Sequence, residues 1–200
     1  MSKISVNGKG SSKEIIASKA AMLFRSRGYN SCTMRQLAES MDIEAPSLYN
    51  HIGSKAELLV NICFSVADEF NRHIEELELL KLPGIEKIEN LIRFHIRIMI
   101  RRHNEVYVSN HEWKQLPDPY LAQFLQQRRV YENKMVQIIR TAIRKKEIQP
   151  IEPYIAVLTI LSAVRGVETW QRHKKGITPG KLEDDMTQHL LNGLINSHGH

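Results

Sequence analysis

The stretch Thr33–Lys55, TMRQLAESMDIEAPSLYNHIGSK, constrains this chain more than any other. Thr33 followed by Gln36 forms a reciprocal capping box at a helix start. Leu37 and Met41 then recur at helical spacing, and Asp42 breaks the pattern. Pro46 suits a first helical turn, where its missing N–H would be unpaired in any case. The run from Ala45 to His51 has room for about two turns. Gly53 is expected to end it in the left-handed conformation, and Ser54-Lys55-Ala56-Glu57 reads as a second capping box opening a longer helix. Two short helices joined by a tight turn make a helix-turn-helix, which lays its second helix in the major groove of DNA. An ordinary helical hairpin with a polar outer face carries the same caps. The chemistry of the second helix favours nucleic acid. Ser47, Tyr49, Asn50 and His51 can hydrogen-bond phosphates or base edges, and Lys55 follows at a helix N-terminus, a natural phosphate site.

Charge is distributed accordingly. Residues 1–55 hold eight Lys/Arg and four Asp/Glu, a net +4, while residues 56–200 hold twenty and eighteen, a net +2. The shorter segment thus carries most of the excess positive charge, as a surface facing a polyanion should. Cys32 and Cys63 have neither Cys-x-x-Cys spacing nor a secreted disulfide framework, and read as reduced thiols of a cytoplasmic protein. The N-terminal MSKISVNGKGSSK has no apolar core of a signal peptide. The longest apolar run, Ile155 to Val164, is too short to span a bilayer, so no membrane partner is expected.

Residues 1–10 are polar and glycine-containing and read as a mobile arm carrying Lys3 and Lys9. Gly8-Lys9-Gly10-Ser11 has the wrong spacing for a phosphate loop. Ser11 and Glu14 suggest a capping box for a first helix, with Ile16, Ala20, Leu23 and Phe24 as its apolar stripe and Gly28 as its end. From Lys55, the repeat Leu58, Leu59, Ile62, Cys63, Val66, Phe70 and Ile74 runs without a breaker to Pro83-Gly84. Further helices are expected at about 85–103, with Arg93, Arg97 and Arg101 on its outer side, and at 105–116, 119–146, 154–174 and 178–194. No stretch alternates as a strand would. The fold class is therefore all-α: a three-helix helix-turn-helix head over 11–54 and a body of five to six helices over 55–200.

Catalytic patterns fail on inspection. There is no Gly-x-Ser-x-Gly elbow and no glycine-rich dinucleotide turn. His111-Glu112 begins like the zinc motif His-Glu-x-x-His, but Gln115 stands where the second ligand belongs. His95, His103 and His111 are eight apart, more than two turns, and cannot chelate one metal as a helical pair. Neither an enzyme, a metal site nor a cofactor is expected.

The body offers the chemistry of a sensor. Leu121, Leu125, Met135, Ile139 and Ala142 fall within about sixty degrees of Arg128 on the helical period, which places an arginine mid-stripe on an apolar face. Such a charge needs a partner. Either Glu132 or a carboxylate of another helix supplies it, or Arg128 meets an anionic ligand. His95, Met99, Tyr107, His111, Trp113, Tyr131, Met135, Thr159 and Trp170 are candidates to line a cavity, although each residue type is common in cores and interfaces.

Two stretches, AAMLFRSRGYNSCTMRQLA (20–38) and LAESMDIEAPSLYNHIGSKAELL (37–59), resemble the DNA-binding signature of TetR/AcrR-family transcriptional repressors. Gly28-Tyr29, the capping Thr33, the Leu-Tyr-x-His run and the Ser-Lys start all fall in order over roughly fifty residues. Ile52 departs from it, standing where the family usually has phenylalanine. The resemblance implies a homodimer formed through the last two helices, a palindromic double-stranded operator, and release of DNA by a small molecule. It also implies that Thr33, Tyr49, His51 and Lys55 hold phosphates, that Pro46, Ser47 and Asn50 lie nearest the base edges, and that Arg35 reaches the groove. The helix from Lys55 would carry movement from body to head. Arg165 would then belong to an interface ion pair or meet ligand. The order of the body and the stretch Trp170 to Gly193 resemble the subgroup regulating fatty-acid and steroid degradation. With Arg128, this suggests a long apolar anion such as a fatty acyl-CoA as effector. A helical ligand-binding or enzymatic bundle with a vestigial helix-turn-helix, and a DNA binder without effector, are the alternatives.

Overall fold

The structure, a computed structural model, describes residues 12–173 and 176–195. All regular structure among them is helical: α1 Ser12–Arg27, α2 Met34–Glu39, α3 Ala45–Tyr49, α4 Lys55–Leu79, α5 Gly84–Arg101, α6 His103–His111, a 3₁₀ turn Trp113–Gln115, α7 Tyr120–Arg144, α8 Pro153–Arg165, α9 Val167–His173 and α10 Pro179–Asn192. No helix among the described residues is long and apolar enough to cross a membrane.

The chain packs as two compact units. One comprises the described residues up to Asp68 together with Asn104–Leu125; the other comprises Glu69–His103 with the described residues from Gln126 onward. This division differs from the boundary at residue 55 read from sequence. α6 and the start of α7 pack with the head, because their apolar side chains Val108, Leu116 and Phe124 join its core. That core is built from Ile16, Ala20, Leu23 and Phe24 of α1, Leu37 and Ala38 of α2, Leu48 of α3, and Leu58, Leu59, Ile62 and Cys63 of α4. Ile52 is buried in it, so the departure from phenylalanine changes core volume and not the surface.

The local stops behave as their chemistry dictates, with two differences. Gly28 (φ +81) closes α1 with its N–H on the Phe24 carbonyl. The Thr33–Gln36 capping box is complete on both sides, and Asp42 makes the α2–α3 turn at φ 54, a conformation aspartate tolerates better than most residues. Gly53, however, does not adopt positive φ. Glycine fits there because the Glu57 carboxylate bonds its N–H at 2.8 Å, so close that a Cβ would meet Glu57 Oε2 at 2.9 Å. The second capping box is correspondingly shifted: Ser54 Oγ accepts the Glu57 N–H at 3.0 Å, and Glu57 reaches back to Gly53 instead of Ser54. Ser11, expected to cap α1, lies outside the described residues.

In the second unit α5 packs against α8, α9 and α10. Its inner face buries Ile88, Leu91, Ile92, His95, Ile96 and Met99. The outward arginines act as ties. Arg93 reaches Glu89, Glu183 and Asp184, Arg97 reaches Glu183, and Arg101 and Arg102 both reach Glu69. The helix expected over 154–174 is two helices, which makes seven α-helices after the head among the described residues. The break falls at Gly166, whose N–H bonds the Ala163 carbonyl, a tighter 3₁₀-like step. Thr178 and Pro179 open α10, with Thr178 Oγ1 accepting the Lys181 N–H.

Candidate nucleic-acid interface and effector cluster

α3 is a single hydrogen-bonded turn extended by bonds from Asn50 N–H to Pro46, and from His51 and Ile52 N–H to Leu48. Leu48 alone of its residues is fully buried, and it anchors the helix on the head core. Pro46, Ser47, Tyr49 and Asn50 are exposed and His51 is half-buried. Tyr49 keeps 51% of its surface open to solvent. A large aromatic left half open by its own chain is available to a partner. Thr33 is exposed at the start of α2, and Arg35 forms an exposed ion pair with Glu39 at 3.0 Å. Exposed pairs of this kind contribute little to stability.

Lys55, expected to hold a phosphate, meets the main chain within its own unit. Its Nζ donates to the carbonyls of Tyr29 at 3.0 Å and Cys32 at 2.9 Å, with Asn30 at 3.5 Å. It also lies 4.4 Å from the centroid of the Tyr29 ring. Three ammonium donors thus meet three main-chain oxygens of the loop between α1 and α2, a charge-assisted set. Lys55 holds the loop from which the helix-turn-helix starts.

The effector candidates separate. His95, Met99, Tyr131 and Met135 are buried in the second unit. His95 Nε2 and the Tyr131 hydroxyl stand 2.8 Å apart. Around them close Phe70, 4.7 Å from His95 and 5.6 Å from Tyr131, and Phe94, which stacks on His73 at 3.7 Å. Burial, and secondarily the neighbouring His73, push the His95 pKa down to about 3. Burial likewise lowers that of His73, against the opposing charge of Glu76, and raises that of Tyr131. The cluster is therefore neutral. The His73 Nδ1 and Trp170 Nε1 atoms are buried without a hydrogen-bond partner. Phe70, His73 and Phe94 were not identified from sequence. Phe70 lay in plain sight in the α4 stripe, but only the phase of α4 against α5 and α7 joins it to His95.

Tyr107, His111 and Trp113 belong to the other unit. Tyr107 and His111 stack at 4.2 Å, and Trp113 packs on the head core. They lie in that unit because α6 packs with the head. Thr159 is exposed on α8, on the face shared by Tyr154, Ile155, Leu158, Ser162 and Arg165, and does not line the interior of its unit. Arg128 is half-buried and is not without a partner in the structure. No group of three or more metal-ligating side chains occurs among the described residues.

A helix-turn-helix with exposed polar groups on its second helix, set on an all-helical frame, defines a class of DNA-binding regulators. Residues 16–62 match the family described as bacterial regulatory proteins, tetR family, and residues 81–194 match the tetracyclin repressor-like, C-terminal domain. The chain belongs to the tetR family. Among curated relatives it is similar to the HTH-type transcriptional repressor KstR2 of Mycolicibacterium smegmatis, 29% identical over 133 residues, covering 66% of this chain and 64% of that one. The chain thus aligns with a little under two thirds of that relative's length. Among solved structures, the ketosteroid transcriptional regulator KstR2 of Mycobacterium tuberculosis shares the fold with a TM-score of 0.86 at 18% identity, covering 95% of this chain and 98% of that one. AibR in complex with isovaleryl coenzyme A and operator DNA does so with a TM-score of 0.77 at 22% identity, covering 90% and 97%.

Proposed function

We propose that the chain is a homodimeric, ligand-responsive transcriptional repressor of the cytoplasm. The observation that carries this reading is α3, a helix anchored by one buried leucine and otherwise presenting proline, serine, tyrosine and asparagine to solvent. Thr33, Tyr49 and His51 are assigned to phosphates, Pro46, Ser47 and Asn50 to base edges, and Arg35 to the groove. Phosphate contacts set register and base contacts set sequence. Lys55 acts indirectly, through the loop it holds. Two copies related by a two-fold axis place their α3 helices in successive half-sites of a palindromic operator, about one helical turn apart. The exposed apolar face of α8 supplies the surface for that pairing.

The effector is assigned to the class of acyl-CoA thioesters or related apolar carboxylates. The named ligand of the AibR complex supports this class. Binding releases DNA if the ligand prefers the conformation whose recognition helices no longer match the grooves. The test begins with selection of duplexes from a random library by the wild-type chain, followed by titration of the selected duplex with isovaleryl- and longer acyl-CoA. A palindromic consensus, released by one of the thioesters, is expected. Arg128→Met is expected to weaken the effective thioester at least about tenfold if Arg128 pairs with its anionic part. No enriched sequence would end the repressor reading. Release by none of the thioesters, or by all of them unaltered in the Arg128 variant, would withdraw the corresponding effector assignment.

A further inference from the structure

Glu112, the acid of the incomplete zinc-like pattern, has no part in the reading above, yet it makes a long-range bond. Following the end of α6, it accepts the main-chain N–H of Tyr29 at 3.1 Å, across 83 residues of sequence. The carbonyl of that same Tyr29 accepts from Lys55 at the start of α4. The Tyr29 ring meets Phe24 of α1 edge-on at 5.1 Å and is buried. One loop residue is therefore held by α1 through its ring, by α4 through its carbonyl and by the residue after α6 through its amide. The beginning of α6 is tied to α1 as well. Asn104 Oδ1 accepts from Arg25 at 3.1 Å, and the Arg25 guanidinium lies 5.4 Å from the centroid of the Tyr107 ring.

Tyr29 precedes by four residues the Thr33 that caps α2, and α2 packs on α3. The place of the main chain at Tyr29 therefore sets where the helix-turn-helix begins. We infer that Glu112 is a positioning residue for the DNA-binding surface, its carboxylate fixing the α1–α2 loop from which α2 and α3 follow. The inference rests on the DNA-binding reading.

Charge makes the inference separable from a general electrostatic effect. Removing an anion from a head that binds a polyanion should, by charge alone, leave affinity equal or higher. Positioning demands the opposite when the acceptor is lost. The experiment measures binding of full-length chains, corrected for active fraction, to the duplex selected by the wild type. Glu112→Gln keeps an acceptor oxygen without the charge, and Glu112→Ala keeps neither. Glu112→Ala is expected to weaken binding about tenfold, while Glu112→Gln binds as the wild type or tighter. Faster hydrogen exchange at the Tyr29 amide is expected in the alanine variant only, with thermal melts establishing that both variants are folded. Wild-type affinity in Glu112→Ala, or an equal loss in Glu112→Gln, would overturn the inference. If the wild type selects no duplex, the functional reading falls and takes the inference with it. If it selects one that Glu112→Ala binds normally, the inference falls alone.

Discussion

His95 shows how far one buried side chain departs from its solution chemistry. It is 6% exposed, its Nε2 faces the Tyr131 hydroxyl, and its pKa falls to about 3. In the unfolded chain the same imidazole titrates near 6.5. Between those values the unfolded state binds more protons than the folded one. Stability is therefore fully present above about pH 6.5 and declines as pH falls toward 3. Going from pH 7.5 to 5.5, this one group should cost about 1.4 kcal/mol. Glutamine at this position offers Tyr131 a hydrogen bond but does not titrate. Urea unfolding at the two pH values should show His95→Gln losing about 1.4 kcal/mol less than the wild type. Equal losses in the two proteins would mean that the imidazole is solvated or charged in the fold.

At the scale of elements, α5 and α7 approach closely where α5 begins. A Cβ added to Gly84 would stand 2.6 Å from Ala142 Cβ and 3.1 Å from Ala142 Cα on α7, closer than carbon atoms pack. The neighbouring Ile85 N–H is held by Glu147 at 3.1 Å, so the α5 terminus cannot slide away without breaking that bond. Gly84→Ala, which in an exposed helix would be favourable, should here destabilise by about 1–3 kcal/mol. A thermal melt at neutral pH checks the sign, and an unchanged or raised midpoint would refute the close contact. Signals of this kind are not legible in a sequence. The capping box at Thr33–Gln36 was readable because its two partners lie three residues apart. The apolar stripes of α1 and α4 were readable because a helix has one period. The roles of Lys55 and Glu112 were not, since each depends on main-chain atoms of a loop tens of residues away. The split at Gly166 was hidden by an apolar run that continues across it. Tyr107, His111 and Trp113 were grouped with His95 by residue type, and only packing separates them.

For the whole molecule, the unusual surface is on α8. Tyr154, Ile155 and Leu158 are 54%, 48% and 49% exposed, and Thr159, Ser162 and Arg165 complete the same face. The opposite face, Ala156, Val157, Ile160 and Val164, is buried against its own unit. A helix apolar on both sides, with only one side covered, calls for a second surface. In the proposed dimer this face is self-complementary, and Leu158 sits near the middle of it. Leu158→Glu places a carboxylate there in each copy. The two like charges would have to be desolvated together, at a cost of several kcal/mol and with no gain within the subunit. Sedimentation equilibrium should find the wild type at twice the 23.1 kDa chain mass and the variant at the chain mass, with the helical circular dichroism of both the same. Operator binding should weaken by orders of magnitude in the monomer, because each copy then holds a single half-site without the effective concentration that its partner supplies. A variant that remains dimeric would move the interface away from α8. A variant that becomes monomeric yet keeps full affinity for the palindrome would show that the two recognition helices act independently.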